Sequence, residues 1–251
     1  MSKKRYAMLD ILRGLTLISM IAYHTTWDMA YLFEIKGKWA WFEEDLAYVW
    51  QQSICWSFIL LSGFCWSFGK RKWKRGLIVL AAGVLTSVVT LLVMPDERIL
   101  FGVLTFLGSA MLLMIPLDKV LSKCEPLLGL AVSALLFFVT RNVNDGELGF
   151  GGIHLVDLPD GLYHGWLANY VGFTERGFFS TDYFSLLPWL FLFLVGYFLY
   201  GVFQKKNWFG VLEKWECRPL QVLGEHSLLI YLVHQPLVYG VLWVVTRAFA
   251  L

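Results

Sequence analysis

The stretch RYAMLDILRGLTLISMIAYHTTWD, which runs from Arg5 to Asp28, decides the class of this protein. Its apolar residues extend over about 20 positions, the length that an α-helix needs to cross the hydrocarbon core of a bilayer. Asp10, Arg13, His24 and Asp28 nevertheless lie within it. A charged side chain at the centre of a membrane helix costs about 3 kcal/mol on insertion scales, so such residues usually face a bundle interior and serve a function.

The rest of the chain is also rich in apolar blocks. Hydrophobic residues make up 58% of the 251 positions, whereas a soluble domain usually has about 45–50%. Seven spans are predicted, at residues 7–28, 47–69, 76–94, 99–117, 127–141, 183–203 and 225–248. The sequence therefore predicts an all-α fold, a polytopic membrane helix bundle of about seven transmembrane helices that forms a single domain over residues 1–251.

Lysine and arginine in the short loops indicate the orientation, because basic loops tend to stay in the cytoplasm. The basic segments are SKKR (2–5), KRKWKR (70–75), DKVLSK (118–123) and QKK (204–206). With seven spans all of them fall on one side, so we expect a cytoplasmic N-terminus and a C-terminus outside. The first block carries charges and lacks an A-x-A-like cleavage site, which predicts a retained helix.

Two segments lie between the predicted spans. Residues 142–182 form a long loop that is rich in glycine and in aromatic residues. Disordered segments are poor in aromatic residues, so we expect a folded cap on the outer face. Residues 205–224 place Trp208, Phe209 and Trp215 among charges, a composition typical of an amphipathic helix at the cytoplasmic membrane interface.

Charge and cysteine content argue against several classes of site and partner. The net charge of +2 gives no reason to expect a nucleic-acid partner. The four cysteines form no C-x-x-C motif, so neither a zinc site nor a disulfide framework is predicted. His154 and His164 in the long loop are a weak signal for a metal pair, and no metal is expected.

Helical geometry relates the four polar residues of the first span. Asp10 and Arg13 are i,i+3 neighbours and His24 and Asp28 are i,i+4 neighbours, so each pair can interact. Arg13 and His24 are eleven residues apart, which places them on one face about 16 Å apart along the axis. We interpret Arg13 as the holder of an anionic group from the cytoplasm and His24 as a general base that Asp28 orients. The alternative is an interfacial ion pair and a histidine that reaches the headgroups.

The motif LDILRGLTLISMIAYH resembles the first helix of the transmembrane acyltransferase superfamily. That group includes the acyltransferase-3 proteins and the heparan-α-glucosaminide N-acetyltransferases with their bacterial relatives. The shared pattern is an arginine, ten residues and a histidine, here Arg13 and His24, and Asp10 and Gly14 fit its D-x-x-R-G form.

Three further segments carry the same resemblance in the same order along the chain. They are ILLSGFCWSFGKRKWKRG (59–76), DYFSLLPWLFLFLVGYFLYG (182–201) and LGEHSLLIYLVHQPLV (223–238). The first is similar to the second helix of the family and the basic turn after it, and the last to its terminal helix. Because fewer spans are predicted than acyltransferase-3 proteins have, the resemblance favours the compact branch near the heparan acetyltransferase.

The resemblance implies an enzyme that transfers an acetyl group from cytoplasmic acetyl-CoA to an acceptor outside, often a sugar hydroxyl or amine. Arg71, Lys72 and Arg75 in the basic turn would hold the CoA phosphates, and the pantetheine arm would run past Arg13. The thioester would approach His24, which either deprotonates the acceptor or forms an acetyl-histidine intermediate. Asp10 belongs to the same catalytic set.

The resemblance also carries expectations about location and assembly. It implies a multi-pass protein of the bacterial cytoplasmic membrane whose partners are acetyl-CoA, an extracytoplasmic glycan or other small acceptor, and the lipid bilayer. Interfaces between paired spans are common in such enzymes, so a homodimer is compatible with it. Neither the acceptor nor the acyl group is named by the sequence.

Residues outside the first span are weaker candidates. His234 lies in the middle of the last span before Gln235 and Pro236, where a polar pair is costly unless it is used. It makes either a structural hydrogen bond or a contact with CoA or substrate.

Three residues near the predicted outer side are candidates for acceptor binding: Trp27, Arg98 and Asp182. For Arg98 the alternative is a surface or headgroup cation. Asp182 precedes the sixth span, where its alternative role is to cap that helix, since aspartate favours N-caps.

The same polar residues would suit other classes of function. Intramembrane Asp, Arg and His would equally suit a small-molecule or proton-coupled transporter, although no inverted repeat is visible. Seven spans also invite comparison with receptors, but the charged first helix has no role there. Binding of acetyl-CoA separates the enzyme from both.

Overall fold

The computed structural model describes residues 6–33, 35, 39–42 and 45–249. The basic segment 2–5, which contributes to the predicted orientation, lies outside the described residues. The α-helices are α1 Ala7–Trp27, α2 Asp45–Trp66, α3 Lys72–Val93, α4 Val103–Leu121, α5 Pro126–Val139, α6 Trp166–Val171, α7 Leu186–Lys206, α8 Arg218–Glu225 and α9 Ser227–Phe249. Two short strands, β1 Glu147–Phe150 and β2 Ile153–Asp157, form an antiparallel hairpin.

Five helical segments in the described part of the chain are long and apolar enough to cross a membrane. They are Ala7–Leu32, Lys72–Val93, Val103–Leu121, Leu186–Lys206 and Ser227–Ala248. Helix α5 is apolar but has 14 residues, so it is about 21 Å long against a core of about 30 Å. The chain is thus a helical membrane protein with little sheet. Each of the seven predicted spans overlaps a helix, while the number of spans and their orientation stay predictions.

Contacts between residues divide the chain into two units, one of residues 1–58 and 207–251 and one of residues 59–206. In the first unit α8 packs closely on the first half of α1. A Cβ on Gly14 would overlap the carbonyl oxygen of Leu220, and a Cβ on Gly224 would overlap the carbonyl oxygen of Asp10. The two glycines therefore allow the two backbones to touch.

The second half of α1 is held in the same unit by an apolar cluster. Leu17 and Met20 are buried against Ile54 of α2. The indole Nε1 of Trp50 donates a 2.8 Å hydrogen bond to the hydroxyl of Ser19. These contacts fix the face of α1 that carries its polar side chains.

In the second unit, α3 packs on α4 and α5 on α7. Glycines again mark the closest approaches, since a Cβ on Gly108 would overlap the backbone of Leu80 and a Cβ on Gly63 would overlap the carbonyl of Phe193. Small residues are common where membrane helices touch, because packing drives their association.

Residues 142–182 are ordered around the β-hairpin and α6. The end of this segment is bonded to the residues that precede α4: the Ser180 hydroxyl accepts from the backbone N–H of Leu100 at 2.9 Å. That this segment is a cap on the outer face stays a prediction.

Residues 205–224 do not form one continuous amphipathic helix. A 3₁₀ segment, Trp208–Glu213, is separated from α8, which has Pro219 in its first turn. Proline has no N–H to continue a preceding helix and suits the first turn of a new one, which explains the break. Its place at a cytoplasmic interface stays a prediction.

Candidate active site

Helix α1 ends in a widened turn at its last charged residue. The helix continues without a break into a π-helical segment, Asp28–Leu32, and the backbone N–H of Phe33 donates to the carbonyl of Asp28 at 2.8 Å. Such π-helical turns often occur at functional sites because they displace side chains from the regular helical register.

Asp28 is fully buried, at 0% exposure, and its partner comes from the other end of the chain. The Nε2 atom of Gln235 on α9 donates a 2.8 Å hydrogen bond to Asp28 Oδ1. The predicted pairing of Asp28 with His24 is therefore wrong in this structure, because the carboxylate is bonded to the Gln235 amide instead. No hydrogen bond joins Asp28 to His24 among the described residues.

His24 faces a second histidine. Its ring centroid lies 5.1 Å from that of His234, with the two planes tilted by 54°. His24 and Asp28 are one turn apart on α1, and they meet His234 and Gln235, which are adjacent on α9. Two adjacent residues of α9 thus contact two residues that lie one turn apart on the same face of α1.

The orientation of His234 is set by a hydrogen bond within α9. Its Nδ1 atom lies 2.6 Å from the carbonyl oxygen of Tyr231. A carbonyl oxygen only accepts, so Nδ1 carries the hydrogen and Nε2 of the neutral ring has a lone pair. The structural hydrogen bond that we considered for His234 is present, and it leaves a second nitrogen for another role.

Three polar atoms at this site are buried without a hydrogen-bond partner in the part of the chain that the structure describes. They are Asp28 Oδ2, His234 Nε2 and Gln235 Oε1. Buried polar atoms are normally paired, so each exception needs an explanation. Sequence reasoning did not select Gln235 as a site residue, although a polar pair before a proline in an apolar span was the available signal.

The other end of α1 has the predicted ion pair. Arg13 Nη1 lies 3.1 Å from Asp10 Oδ1, and the side chain of Asp10 is more buried than that of Arg13. The predicted interaction between these two i,i+3 neighbours is thereby confirmed. A guanidinium has five N–H groups, so a single bond to Asp10 leaves most of them for an anionic ligand.

Several cations lie at the basic turn at the start of α3. Lys72 Nζ forms a 3.3 Å ion pair with Asp118 Oδ2 and lies 3.5 Å from the centroid of the Trp66 ring. The hydroxyl of Tyr197 donates a 2.6 Å hydrogen bond to Asp118 Oδ1. Arg71 and Arg75 are exposed at the same turn.

Lys72 and Asp118 line a pocket of about 460 Å³ in the second unit. Ligand pockets usually have about 300–1,000 Å³, so this one can hold part of a cofactor-sized molecule. Its other polar lining includes Ser67, Ser122 and Lys205.

Residues 5–236 match the model of the family described as heparan-alpha-glucosaminide N-acetyltransferase, catalytic. The chain belongs to this family. Comparisons with curated proteins and with solved structures found no match. The matched region contains both the His24 and the His234 sides of the site, and it ends at Pro236. The resemblance of the sequence motifs is confirmed, and the family is one of membrane acetyltransferases.

The acceptor-side candidates belong to different units of the chain, Trp27 to the first and Arg98 and Asp182 to the second. Trp27 packs on Tyr31 at a ring-centroid distance of 5.7 Å. Arg98 donates to the carbonyl of Pro95 at 3.3 Å, and its guanidinium lies 5.3 Å from the ring centroid of Phe179.

Asp182 caps a helix, but not the one that the sequence indicated. Its Oδ2 atom accepts a 3.0 Å hydrogen bond from the backbone N–H of Val103, the first residue of α4. Burial raises the pKa of Asp182 to about 6, and the bond from Val103 opposes that shift. The expectation that it caps the sixth span is wrong, because the loop turns its carboxylate toward α4.

The hairpin of this acetyltransferase holds one group of possible metal ligands among the described residues. Ligand atoms of Glu147, His154 and Asp157 lie within 4.8 Å of one another. His154 Nε2 is 3.0 Å from Asp157 Oδ1, and this hydrogen bond raises the pKa of His154. The exposed side chains pair with one another, and His164 is not part of the group.

Proposed function

We propose that this protein transfers an acetyl group from cytoplasmic acetyl-CoA to a sugar amine or hydroxyl on the outer side of a bacterial cytoplasmic membrane, with His24 as the general base. The observation that carries the proposal is the family match over residues 5–236, within which His24 meets a buried polar site on α9.

The reaction needs one proton acceptor. The nitrogen or oxygen of the acceptor attacks the thioester carbonyl carbon, a C–N or C–O bond forms, and the C–S bond breaks. His24 takes the proton of the attacking group and returns it to the CoA thiolate. In the alternative route the acetyl group is first carried on the imidazole of His24. Asp10 supports this site indirectly, through its ion pair with Arg13.

The donor would be held by cations. Arg13 is ion-paired but keeps free donors, and Arg71 and Arg75 are exposed for phosphate groups. Lys72 lines the 460 Å³ pocket but is paired with Asp118, so a phosphate would have to compete with that carboxylate. We propose this pocket as the place of the CoA nucleotide.

The remaining features are assigned as follows. Residues 142–182 form the outer-face cap and residues 205–224 lie at the cytoplasmic interface. Trp27, Arg98 and Asp182 contribute to the acceptor side, Asp182 through the loop that it ties to α4. A homodimer is the assembly that we would test first.

Acetyl-CoA binding tests the proposal. The full chain, purified in detergent, is titrated with acetyl-CoA by calorimetry as wild type and as the Arg13→Ala, His24→Ala and Arg98→Ala variants. We expect Arg13→Ala to weaken binding at least tenfold, since a charge-assisted contact is lost. His24→Ala should bind normally and lose turnover, and Arg98→Ala is the matched control for removing an arginine. Folded wild-type protein that binds neither CoA nor acetyl-CoA contradicts the proposal and favours a transporter.

A further inference from the structure

The β-hairpin formed by β1 and β2 has an irregular register. Glu147 on β1 pairs with Asp157 on β2. Two residues further along β1, Gly149 pairs with His154, so the register skips Leu155. Strand β2 therefore carries one extra residue, which is a β-bulge. Bulges often lie next to functional sites, because they redirect a side chain.

The bulge places His154 and Asp157 on one face of the hairpin. Side chains alternate between the two faces of a regular strand, so residues three apart point to opposite faces. One extra residue between them shifts the alternation and brings both side chains to the same face. His154 Nε2 accordingly lies 3.0 Å from Asp157 Oδ1 and 3.6 Å from Glu147 Oε2 on the neighbouring strand. Three groups that can bind a metal thus converge from both strands.

The spacing of these atoms suits coordination of one small cation. Zinc lies about 2.0–2.2 Å from a ligating imidazole nitrogen or carboxylate oxygen, so two ligand atoms of a tetrahedral site are about 3.4 Å apart. The distances of 3.0 and 3.6 Å from His154 Nε2 to the two carboxylates lie on either side of that value. Ligand atoms of all three residues are within 4.8 Å of one another. Small side-chain rotations therefore suffice to surround a cation.

A buried amide holds one of the carboxylates in place. Asn142, which is 8% exposed, donates a 2.6 Å hydrogen bond from Nδ2 to Glu147 Oε1. The same NH₂ group donates to the carbonyl of Gly151 at 3.0 Å. The Oε1 atom of Glu147 is thereby engaged, while Oε2 faces His154. Carboxylates that ligate metals are typically oriented by such hydrogen bonds from a second layer of residues.

The charges at this face favour a cation. Glu147 and Asp157 bring two negative charges, and a single imidazole, even when protonated, balances only one of them. A divalent cation balances both. One imidazole nitrogen and two carboxylate oxygens are ligands that Zn²⁺ accepts, whereas Ca²⁺ and Mg²⁺ prefer sites made of oxygen alone. His154 and Asp157 are exposed, so water can reach the remaining coordination position.

We infer that Glu147, His154 and Asp157 form a Zn²⁺ site that joins β1 to β2. The bound cation would link the two strands directly and stabilise the folded hairpin, because the ligands come together only in that fold. The site belongs to the second unit of the chain, whereas His24 belongs to the first. The inference therefore does not rest on the proposed acetyl transfer.

Zinc titration tests the site. The full chain in detergent, freed of its affinity tag and of metal by a chelator that is then removed, is titrated with ZnCl₂ by calorimetry and with MgCl₂ in a second arm. We expect micromolar binding of one Zn²⁺ and at least tenfold weaker binding of Mg²⁺. Folded wild-type protein that does not bind Zn²⁺, or binds both cations equally, overturns the inference.

Three variants each remove one ligand from the exposed face. His154→Ala and Asp157→Asn should each weaken Zn²⁺ binding at least tenfold. Glu147→Gln should do the same, since it keeps an amide oxygen for the bond from Asn142 but replaces the ligand oxygen with NH₂. His164→Ala is the matched control, because it removes the other histidine of the same segment. Wild-type affinity in all three ligand variants, or an equal loss in His164→Ala, contradicts the assignment.

Hydrogen exchange of the backbone amides separates a zinc site that joins the strands from one that does not. With Zn²⁺ bound, exchange in residues 147–157 should slow by about threefold or more, because opening of the hairpin then requires release of the cation. The His154→Ala variant should show no such change. Zinc binding by wild type without slower exchange in the hairpin would overturn the link between β1 and β2.

Discussion

Asp28 and Gln235 are 207 positions apart in the chain, yet a 2.8 Å hydrogen bond joins their side chains between the first and the last span. The bond gives a buried carboxylate its partner, and it links the two helices that carry the candidate active site.

Removing one member of this pair should destabilise the fold. Gln235→Leu leaves Asp28 buried without its donor, and we expect a loss of about 1–2 kcal/mol in the free energy of unfolding. The double variant Asp28→Leu/Gln235→Leu should lose less than the sum of the two single variants, because no buried polar group is then unpaired. Denaturant unfolding in micelles measures all four proteins, and strict additivity would contradict the coupling.

The contact between α1 and α8 makes a prediction about glycine. Gly224→Ala places a methyl group on the carbonyl oxygen of Asp10, and overpacking of this kind costs about 1–3 kcal/mol. Gly240→Ala is the matched control, because nothing lies within 4 Å of its Cβ position in α9 and alanine favours a helix by up to about 1 kcal/mol. The melting temperature should fall for Gly224→Ala and should stay the same or rise for Gly240→Ala.

Asp182 should make stability depend on pH. Its pKa is raised by burial to about 6 from an ordinary value of 3.8, so the folded state binds the proton more tightly than the unfolded state does. The stabilisation is complete below pH 3.8 and is lost as the pH rises through about 6. Asp182→Asn does not titrate and keeps the cap on Val103, since asparagine caps as well as aspartate.

We therefore expect the Asp182→Asn variant to be more stable than wild type at pH 8, by about 1 kcal/mol, since Asp182 is a residue of intermediate exposure and solvent screens part of the effect. The difference in stability between the variant and wild type should shrink as the pH falls to about 4. Melting temperatures at a series of pH values test this, and parallel curves for the two proteins would refute it.

The ion pair at the basic turn predicts opposite effects of two substitutions on donor affinity. Lys72→Met removes a cation that lines the pocket, and acetyl-CoA binding should weaken about threefold to tenfold. Asp118→Asn removes the carboxylate that competes for Lys72 and should strengthen binding by a similar factor. Calorimetric titration gives both constants. Two changes of the same sign would exclude Lys72 as a ligand of the donor.

Local spacing predicted the helices and one of the two local side-chain pairs on α1. The apolar blocks indicated the helices, because a run of about 20 apolar residues can be recognised in the sequence without any knowledge of the tertiary structure. The Asp10–Arg13 ion pair followed from i,i+3 neighbours. A π-helical turn at Asp28 was not predicted, because it depends on the packing of the following residues rather than on a pattern.

Side-chain partners that are far apart in the sequence could not be predicted from spacing. The i,i+4 rule suggested that Asp28 bonds to His24, but an amide on another helix satisfies the carboxylate instead. The cap on Val103 comes from Asp182, 79 positions further on, and Lys72 meets Asp118 across 46 positions. Each of these pairs is set by how helices pack, and sequence spacing carries no information about that.

The distance along the chain between Asp28 and its amide partner has a consequence for biogenesis. A ribosome adds about 5–20 residues each second, so roughly 10–40 s pass between the synthesis of the first polar helix and that of Gln235, 207 positions later. During this interval the nascent first span carries a carboxylate whose final partner does not yet exist. The hydrogen bond between Asp28 and Gln235 can therefore form only after α9 has been synthesised, late in the assembly of the helix bundle.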